Sequence, residues 1–161
     1  MDKNIKIRAA EAKDTGLILD MIKELAEYEK LSHEVVATEE LLGEWIFTKG
    51  KAEVLIAEFN GETAGFALFF HNFSTFLGRA GIFLEDIFIK KEFRGNGIGS
   101  MLFKELAKLT VERECGRLDW NCLDWNESSI NFYLKMGAVP QDGWKTYRLT
   151  GDSLNSLAKI I

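Results

Sequence analysis

The chain has 161 residues, 47% of them hydrophobic and 28% charged, a balance that fits one folded domain and argues against general disorder. Twenty Lys and Arg against 25 Asp and Glu leave a net charge of -5. That disfavours a nucleic-acid-binding face, which needs an excess of cations, and permits a cationic substrate without selecting one. No apolar run approaches the ~20 residues that span a bilayer, and the N-terminus has no hydrophobic leader segment, so no membrane role is expected. Cys115 and Cys122 read as reduced core thiols of a cytoplasmic protein. His33 and His71 are too few and too far apart to suggest a metal site.

Alternation of Ile5, Ile7 and Ala9 with charged neighbours predicts a strand over 4–9. Asp14 is placed to cap a helix whose inner face is Leu17, Ile18, Met21, Ile22 and Leu25. Thr38, followed by Glu39 and Glu40, opens a second helix. Residues 52–59 and 64–71 read as two strands joined at Asn60-Gly61, a pair suited to the positive φ of a tight hairpin turn. A further strand is expected over 82–90, then a helix with Ile98, Met101, Leu102, Leu106 and Leu109 facing inward. Residues 117–123 read as a strand, Glu127 to Met136 as a helix stopped by Gly137, and 144–149 as a last strand. Leu154 and Leu157 sit in a tail that reads as helical. There is no internal repeat, and Pro140 is the only proline. The order β-α-α-β-β-β-α-β-α-β predicts a single α/β (α+β) domain over 1–161, with a mixed sheet and a crossover after the fourth strand.

Three segments carry chemistry. Arg94-Gly95-Asn96-Gly97-Ile98-Gly99-Ser100 lies between a strand and a helix. Glycines let backbone approach a ligand, and a helix N-terminus offers unpaired amides to a pyrophosphate. A plain tight turn is the alternative. The spacing is neither the P-loop, which needs Gly-Lys-Ser/Thr, nor the dinucleotide fingerprint, because Ser100 and Leu102 stand where glycine is required. In Leu84-Glu85-Asp86-Ile87-Phe88-Ile89, adjacent carboxylates on a strand are expected on opposite faces. A carboxylate in such apolar surroundings is harder to ionise, which suits a base; a satisfied ion pair is the alternative. In the third segment Asn126 is placed to cap a helix that carries Ile130, Phe132 and Tyr133, which are also readable as packing residues.

Together these segments resemble the GNAT superfamily of acyl-CoA-dependent N-acetyltransferases. R-G-x-G-I-G-S matches its phosphate-binding motif, and N-E-x-S-I-N-F-Y-x-x-x-G-A its C-terminal motif. Residues 22–29, Leu84-Glu85-Asp86 and Gly143-Trp144 extend the likeness to spermidine/spermine (diamine) and thialysine acetyltransferases. The resemblance implies a central sheet splayed into a V-shaped acetyl-CoA cleft and flanked by helices. It implies that the backbone of Ile87, Phe88 and Ile89 holds the pantetheine arm, and that Arg94, Gly95, Asn96, Gly97, Ile98, Gly99 and Ser100 hold the pyrophosphate. Asn126 and Ser129 match further cofactor positions. Glu85 matches the residue that binds substrate and removes its proton through water, and Tyr133 the proton donor to the departing sulfur. Tyr28, Glu29 and Asp142 match positions around the amine. The implied protein is a cytoplasmic homodimer using acetyl-CoA, without a metal and with neither nucleic acid nor membrane as partner.

One departure bears on the acceptor. Spermidine/spermine acetyltransferases carry Asp-Pro-Trp just before the Leu-Glu-Asp strand, where this chain has Ser74-Thr75-Phe76. Losing a carboxylate and an indole predicts a shorter amine: thialysine, a lysine-like amino acid or a small diamine. An acetyltransferase acting on a protein amine and a non-catalytic acyl-CoA sensor are the alternatives.

Overall fold

Five strands form one sheet in the order of the chain: β1 (Ile5–Ala9), β2 (Glu53–Phe59), β3 (Glu62–Ser74), β4 (Arg79–Ile89) and β5 (Leu118–Trp120). This is a computed structural model, and it describes residues 3–159. The chain divides into two compact units, the first ending at Asn121 and the second beginning at Cys122.

In the first unit, β1 to β4 run antiparallel and β5 joins β4 in parallel. The parallel pair needs a crossover, which α3 (Ile98–Glu112) supplies. Asn60 and Gly61 have φ of 49° and 85°, so the β2–β3 hairpin turns as its residues demand. On one face of the sheet, Val54, Ile56, Phe66 and Phe88 pack with Ile18 and Met21 of α1 (Thr15–Tyr28) and with Ile46. Each such side chain contributes roughly 1.5–3 kcal/mol when fully buried. On the other face α3 buries Leu102 and Leu106 completely, and its last turn brings Arg113 over the ring of Phe69. Phe103 is buried as well, beyond the inner face read from the sequence.

Caps follow the sequence in part. Thr38 Oγ1 accepts from the Leu41 amide at 3.2 Å and starts α2 (Glu39–Leu42). Asp14 precedes α1 but makes no cap bond to it. Its carboxylate instead takes two hydrogen bonds from Arg8, at 2.8 and 3.0 Å, and one from the Glu11 amide at 2.8 Å. A buried carboxylate with a two-pronged guanidinium partner within reach takes that stronger bond in preference to an exposed amide. Arg8 holds the Asp14 carboxyl down at about 2.

The second unit contains α4 (Glu127–Lys135) and α5 (Gly151–Ala158). Gly137, at φ 92°, closes α4: its amide bonds the Leu134 carbonyl and the Ala138 amide bonds that of Tyr133. Three expectations are corrected. Strand β5 spans three residues rather than 117–123, because β4 lies beside it only over that length. Residues 144–149 are not a sheet strand: the segment has no ladder among the described residues, and Trp144 and Tyr147 are 85% and 91% exposed. A strand exists only where a neighbour takes its amides and carbonyls. Cys115 and Cys122 are half-buried rather than core residues.

Candidate active site

The site is built on β4. Its β5 partner runs beside it only from Ile82 to Leu84, yet β4 continues to Ile89. At the same point its pairing with β3 slips: Phe69 lies opposite Leu84, Leu68 opposite Asp86, and Glu85 is the extra residue between them. This is a β-bulge, and it reverses which residues face which way beyond it.

The reversal has two consequences. Before the bulge the Ile82 amide donates to the Arg117 carbonyl on the β5 side. After it the Lys90 amide donates to the Ala64 carbonyl on the β3 side. By alternation, the peptide groups of Phe88 face β3, and those of Ile87 and Ile89 face the edge that β5 has left. The open edge therefore offers Ile87 and Ile89, while the Phe88 ring is buried in the core on the α1 face. The second consequence concerns side chains. Leu84 lies opposite Phe69, which sits under Arg113 of α3. Asp86 lies opposite Leu68, which packs on the α1 core with Phe88. The bulge thus turns Asp86 to the α1 face of the sheet, instead of leaving it on the α3 face with Leu84.

There Asp86 meets the end of α1. Burial pushes its carboxyl up to about 6, and the charges of Glu85 and Glu29 add to the shift. Glu29, the residue that caps α1, is itself pushed up by burial. Among the described residues no donor or cation offsets the Asp86 charge. A half-buried carboxylate whose proton affinity is raised by burial and by two neighbouring acids is a seat for an external cation. Sequence reasoning placed a hard-to-ionise carboxylate in this segment but gave the chemical role to Glu85 alone. The bulge that selects Asp86 leaves no mark in an apolar run interrupted by two acids.

Beyond β4 a short 3-10 turn (Lys91–Phe93) leads into the glycine segment. Gly95 and Gly97 have φ of 80° and 84°, and Gly97 stands at the N-terminus of α3. The Asn96 side chain bonds the Phe93 carbonyl at 2.9 Å and fixes the loop. Apart from its immediate neighbours along the chain, a Cβ at Gly95, Gly97 or Gly99 would have nothing within 4 Å among the described residues. Backbone conformation explains glycine at 95 and 97. It does not explain Gly99, inside the first helical turn, where glycine costs about 1 kcal/mol relative to alanine. Ile98 is buried and anchors the helix, so the amides from 97 onward stand fixed at a helix N-terminus, an arrangement that suits a phosphate. Arg94 donates from Nε to the Ile89 carbonyl at 2.9 Å, and its guanidinium lies 5.2 Å from the Tyr28 ring and 5.7 Å from the Phe88 ring.

Tyr28, Glu29, Glu85, Ile87, Phe88, Ile89 and residues 94–100 all belong to the first unit, where bulge, helix end and glycine loop bring them to one region. Asn126, Ser129, Tyr133 and Asp142 belong to the second. Within it, Asn126 stands at the N-cap of α4 without a side-chain cap bond, and Ser128 Oγ donates to its Oδ1 at 3.4 Å. Ser129 is in the first turn of α4 and Tyr133 is two turns into the helix. Asp142 lies in the exposed turn before Gly143. Among the described residues no three His, Cys, Asp or Glu side chains are grouped to hold a metal, and no helix is long and apolar enough to cross a membrane.

The description "Acetyltransferase (GNAT) family" matches residues 18–138. A thialysine N-epsilon-acetyltransferase of Bos taurus is 39% identical over 96% of this chain and 97% of its own. An L-ornithine N5-acetyltransferase of Arabidopsis thaliana is 30% identical over 96% of this chain and 88% of its own. Among solved structures, an integron cassette protein from the mobile metagenome of V. cholerae superposes with a TM-score of 0.79 over 97% of this chain and 98% of that one, at 28% identity.

Proposed function

We propose that this chain, which belongs to the acetyltransferase (GNAT) family, transfers an acetyl group from acetyl-CoA directly to the primary amine of a short cationic molecule. The fold is the α/β arrangement of that family, a mixed five-stranded sheet flanked by helices. The observation that carries the reading is Asp86. It is a half-buried carboxylate with no cation beside it among the described residues, set beside Glu29 and Glu85 where the vacated edge of β4 begins.

The donor is read along that edge. Ile87 and Ile89 offer their peptide groups to the pantetheine arm, and residues 94–100 receive the diphosphate at the start of α3. The acceptor is read at the acidic seat. An alkyl ammonium with a pKa near 10.4 needs roughly 4 kcal/mol to become the neutral nucleophile at pH 7. The carboxylates attract the cation, and the proton then passes to Glu85 through water, with Asp86 as its neighbour. Asp86, titrating near 6, is better matched to sharing that proton than an ordinary carboxylate. The amine nitrogen bonds the thioester carbon, and a β4 amide stabilises the oxyanion. As the tetrahedral species collapses the carbon–sulfur bond breaks; Tyr133 gives its hydrogen bond and proton to the leaving sulfur, and the proton that the new amide nitrogen sheds restores the phenol. No acyl-enzyme forms, so neither cysteine has a role. Asn126 and Ser129 are assigned to the cofactor, and Asp142 to the far end of the amine.

The acceptor is proposed to be short: thialysine, a lysine- or ornithine-like amino acid, or a small diamine. Both relatives described above are named for amino acids bearing a side-chain amine. The β3–β4 hairpin tip adds support. Ser74 is buried and its Oγ accepts from the Leu77 amide at 3.1 Å, so it serves the turn, while Phe76 is fully exposed. No carboxylate stands at that tip to meet a distant ammonium. A homodimer is part of the proposal, since the extended segment 144–149 leaves Trp144 and Tyr147 to solvent in the single chain.

The test is steady-state acetyl transfer, read as thiol release, over thialysine, ornithine, lysine, putrescine, spermidine, spermine and a histone-tail peptide. The highest kcat/KM is expected on a short amine. A preference for spermine would sink the acceptor assignment. A preference for the peptide would move the function to protein amines, and CoA binding without any turnover would leave a sensor.

A further inference from the structure

We infer that Tyr28 serves the donor side of the site, as a positioning residue that holds Arg94 ready for the diphosphate of CoA. The inference deepens the donor placement proposed above and rests on it. Tyr28 ends α1, where the sequence resemblance assigns it to the amine. Its ring lies 5.2 Å from the Arg94 guanidinium, a distance at which a cation is attracted to an aromatic face. Phe88 offers a second ring at 5.7 Å, and the Ile89 carbonyl holds Nε at 2.9 Å.

These three contacts use the faces and the inner nitrogen of the guanidinium. Its two terminal nitrogens have no hydrogen bond or ion pair among the described residues, although Arg94 is exposed and three residues before the N-terminus of α3. An exposed arginine ordinarily samples many rotamers, and a ligand that fixes it forfeits that freedom. Here the freedom is given up in advance. The planar fork is left open, and such a fork matches phosphate oxygens two at a time. A clamped arginine with its fork vacant is a preorganised anion ligand. Phe88 cannot be changed without disturbing the core, so Tyr28, 40% exposed, is the part of the clamp that can be tested.

The experiment is calorimetric binding of CoA and of pantetheine, which lacks the diphosphate, to wild type, Tyr28→Leu, Tyr28→Phe, Arg94→Gln and the Leu/Gln double variant. Tyr28→Leu is expected to weaken CoA by about 3- to 10-fold, the size of a partly exposed cation–ring contact, and Tyr28→Phe by less than about twofold. Pantetheine affinity should move less than about twofold in either. In the Arg94→Gln background the leucine should add no further loss, because the partner it acts through is gone. An unchanged CoA affinity in Tyr28→Leu overturns the inference while the donor placement stands. So does an equal loss for pantetheine, or a full additional loss in the double variant. Failure of the wild type to bind CoA overturns the donor placement and the inference together. Recovery in Tyr28→Phe separates the clamp from general damage to α1.

Discussion

Strand β4 contains two regions that differ more in their surroundings than in their composition. From Arg79 to Leu84 it is paired with β3, and from Ile82 to Leu84 with β5 as well, and Ile82 and Leu84 are almost wholly buried. From Glu85 to Ile89 it keeps β3 and loses β5. The first half ends flanked by strands on both edges. The second half, displaced by one bulged residue, presents an edge without a strand partner, where Arg94 takes the Ile89 carbonyl, and a carboxylate with no cation among the described residues. Loss of a neighbour, rather than any unusual residue, turns structure into a candidate site.

Substitutions in the two halves should therefore fail differently. The largest effects are expected in the unpaired half. Glu85→Gln and Asp86→Asn should each lower kcat/KM by about 10²- to 10⁴-fold, as removal of a proton acceptor does, while CoA affinity stays within about twofold. Wild-type turnover in both would refute the acidic seat. In the paired half, Leu84→Ala should lower stability by about 2–5 kcal/mol in denaturant unfolding. A loss of catalysis without a loss of stability there would erase the contrast between the halves. Gly97→Val should weaken CoA by at least about tenfold, since its φ of 84° excludes a β-branched residue and the new side chain enters the diphosphate space. Unchanged affinity would discard that placement.

Two smaller effects depend on pH. Asp86 titrates near 6 in the fold, above its ordinary value. It is charged above that point and neutral below it, so kcat/KM should fall as pH drops through about 6. Asp86→Asn should lack this limb. The sign is opposite for Asp14, held at about 2 against an ordinary 3.8. Its contribution to stability is complete above pH 3.8 and is lost as pH falls toward 2. Arg8→Leu should therefore move the acid-unfolding midpoint upward, and an unmoved midpoint would assign acid resistance elsewhere.

Much of this was legible in the residues. Asn60-Gly61, Thr38 and Gly137 declare a hairpin, a cap and a helix stop through local chemistry that no tertiary contact overrides. Gly95 and Gly97 declare a tight loop at the start of α3 for the same reason. The acidic seat was legible only by half. The alternation rule puts Glu85 and Asp86 on opposite faces, but the inserted residue resets that rule, and neither Leu84 nor Ile87 signals it. The Arg94 clamp was invisible because Tyr28 and Arg94 lie 66 positions apart and meet only after α1 crosses the sheet. The strand expected over 144–149 has the right alternation, but alternation states a capacity to pair and does not supply a neighbour.

A final consequence follows from the glycine behind the open edge. Gly65 lies opposite Ile89, so close that a Cβ there would stand 2.4 Å from the Phe88 carbonyl and 2.9 Å from the Ile89 side chain. The missing methyl lets β3 act as a backstop, pressing the far end of β4 into position from the side that no ligand reaches. Adding it would push the edge outward like a wedge driven behind a door frame. Displacements of ~1 Å in a reacting group can lower rates by ~10²-fold. The alignment of the open edge is thus set partly by an atom that β3 does not have.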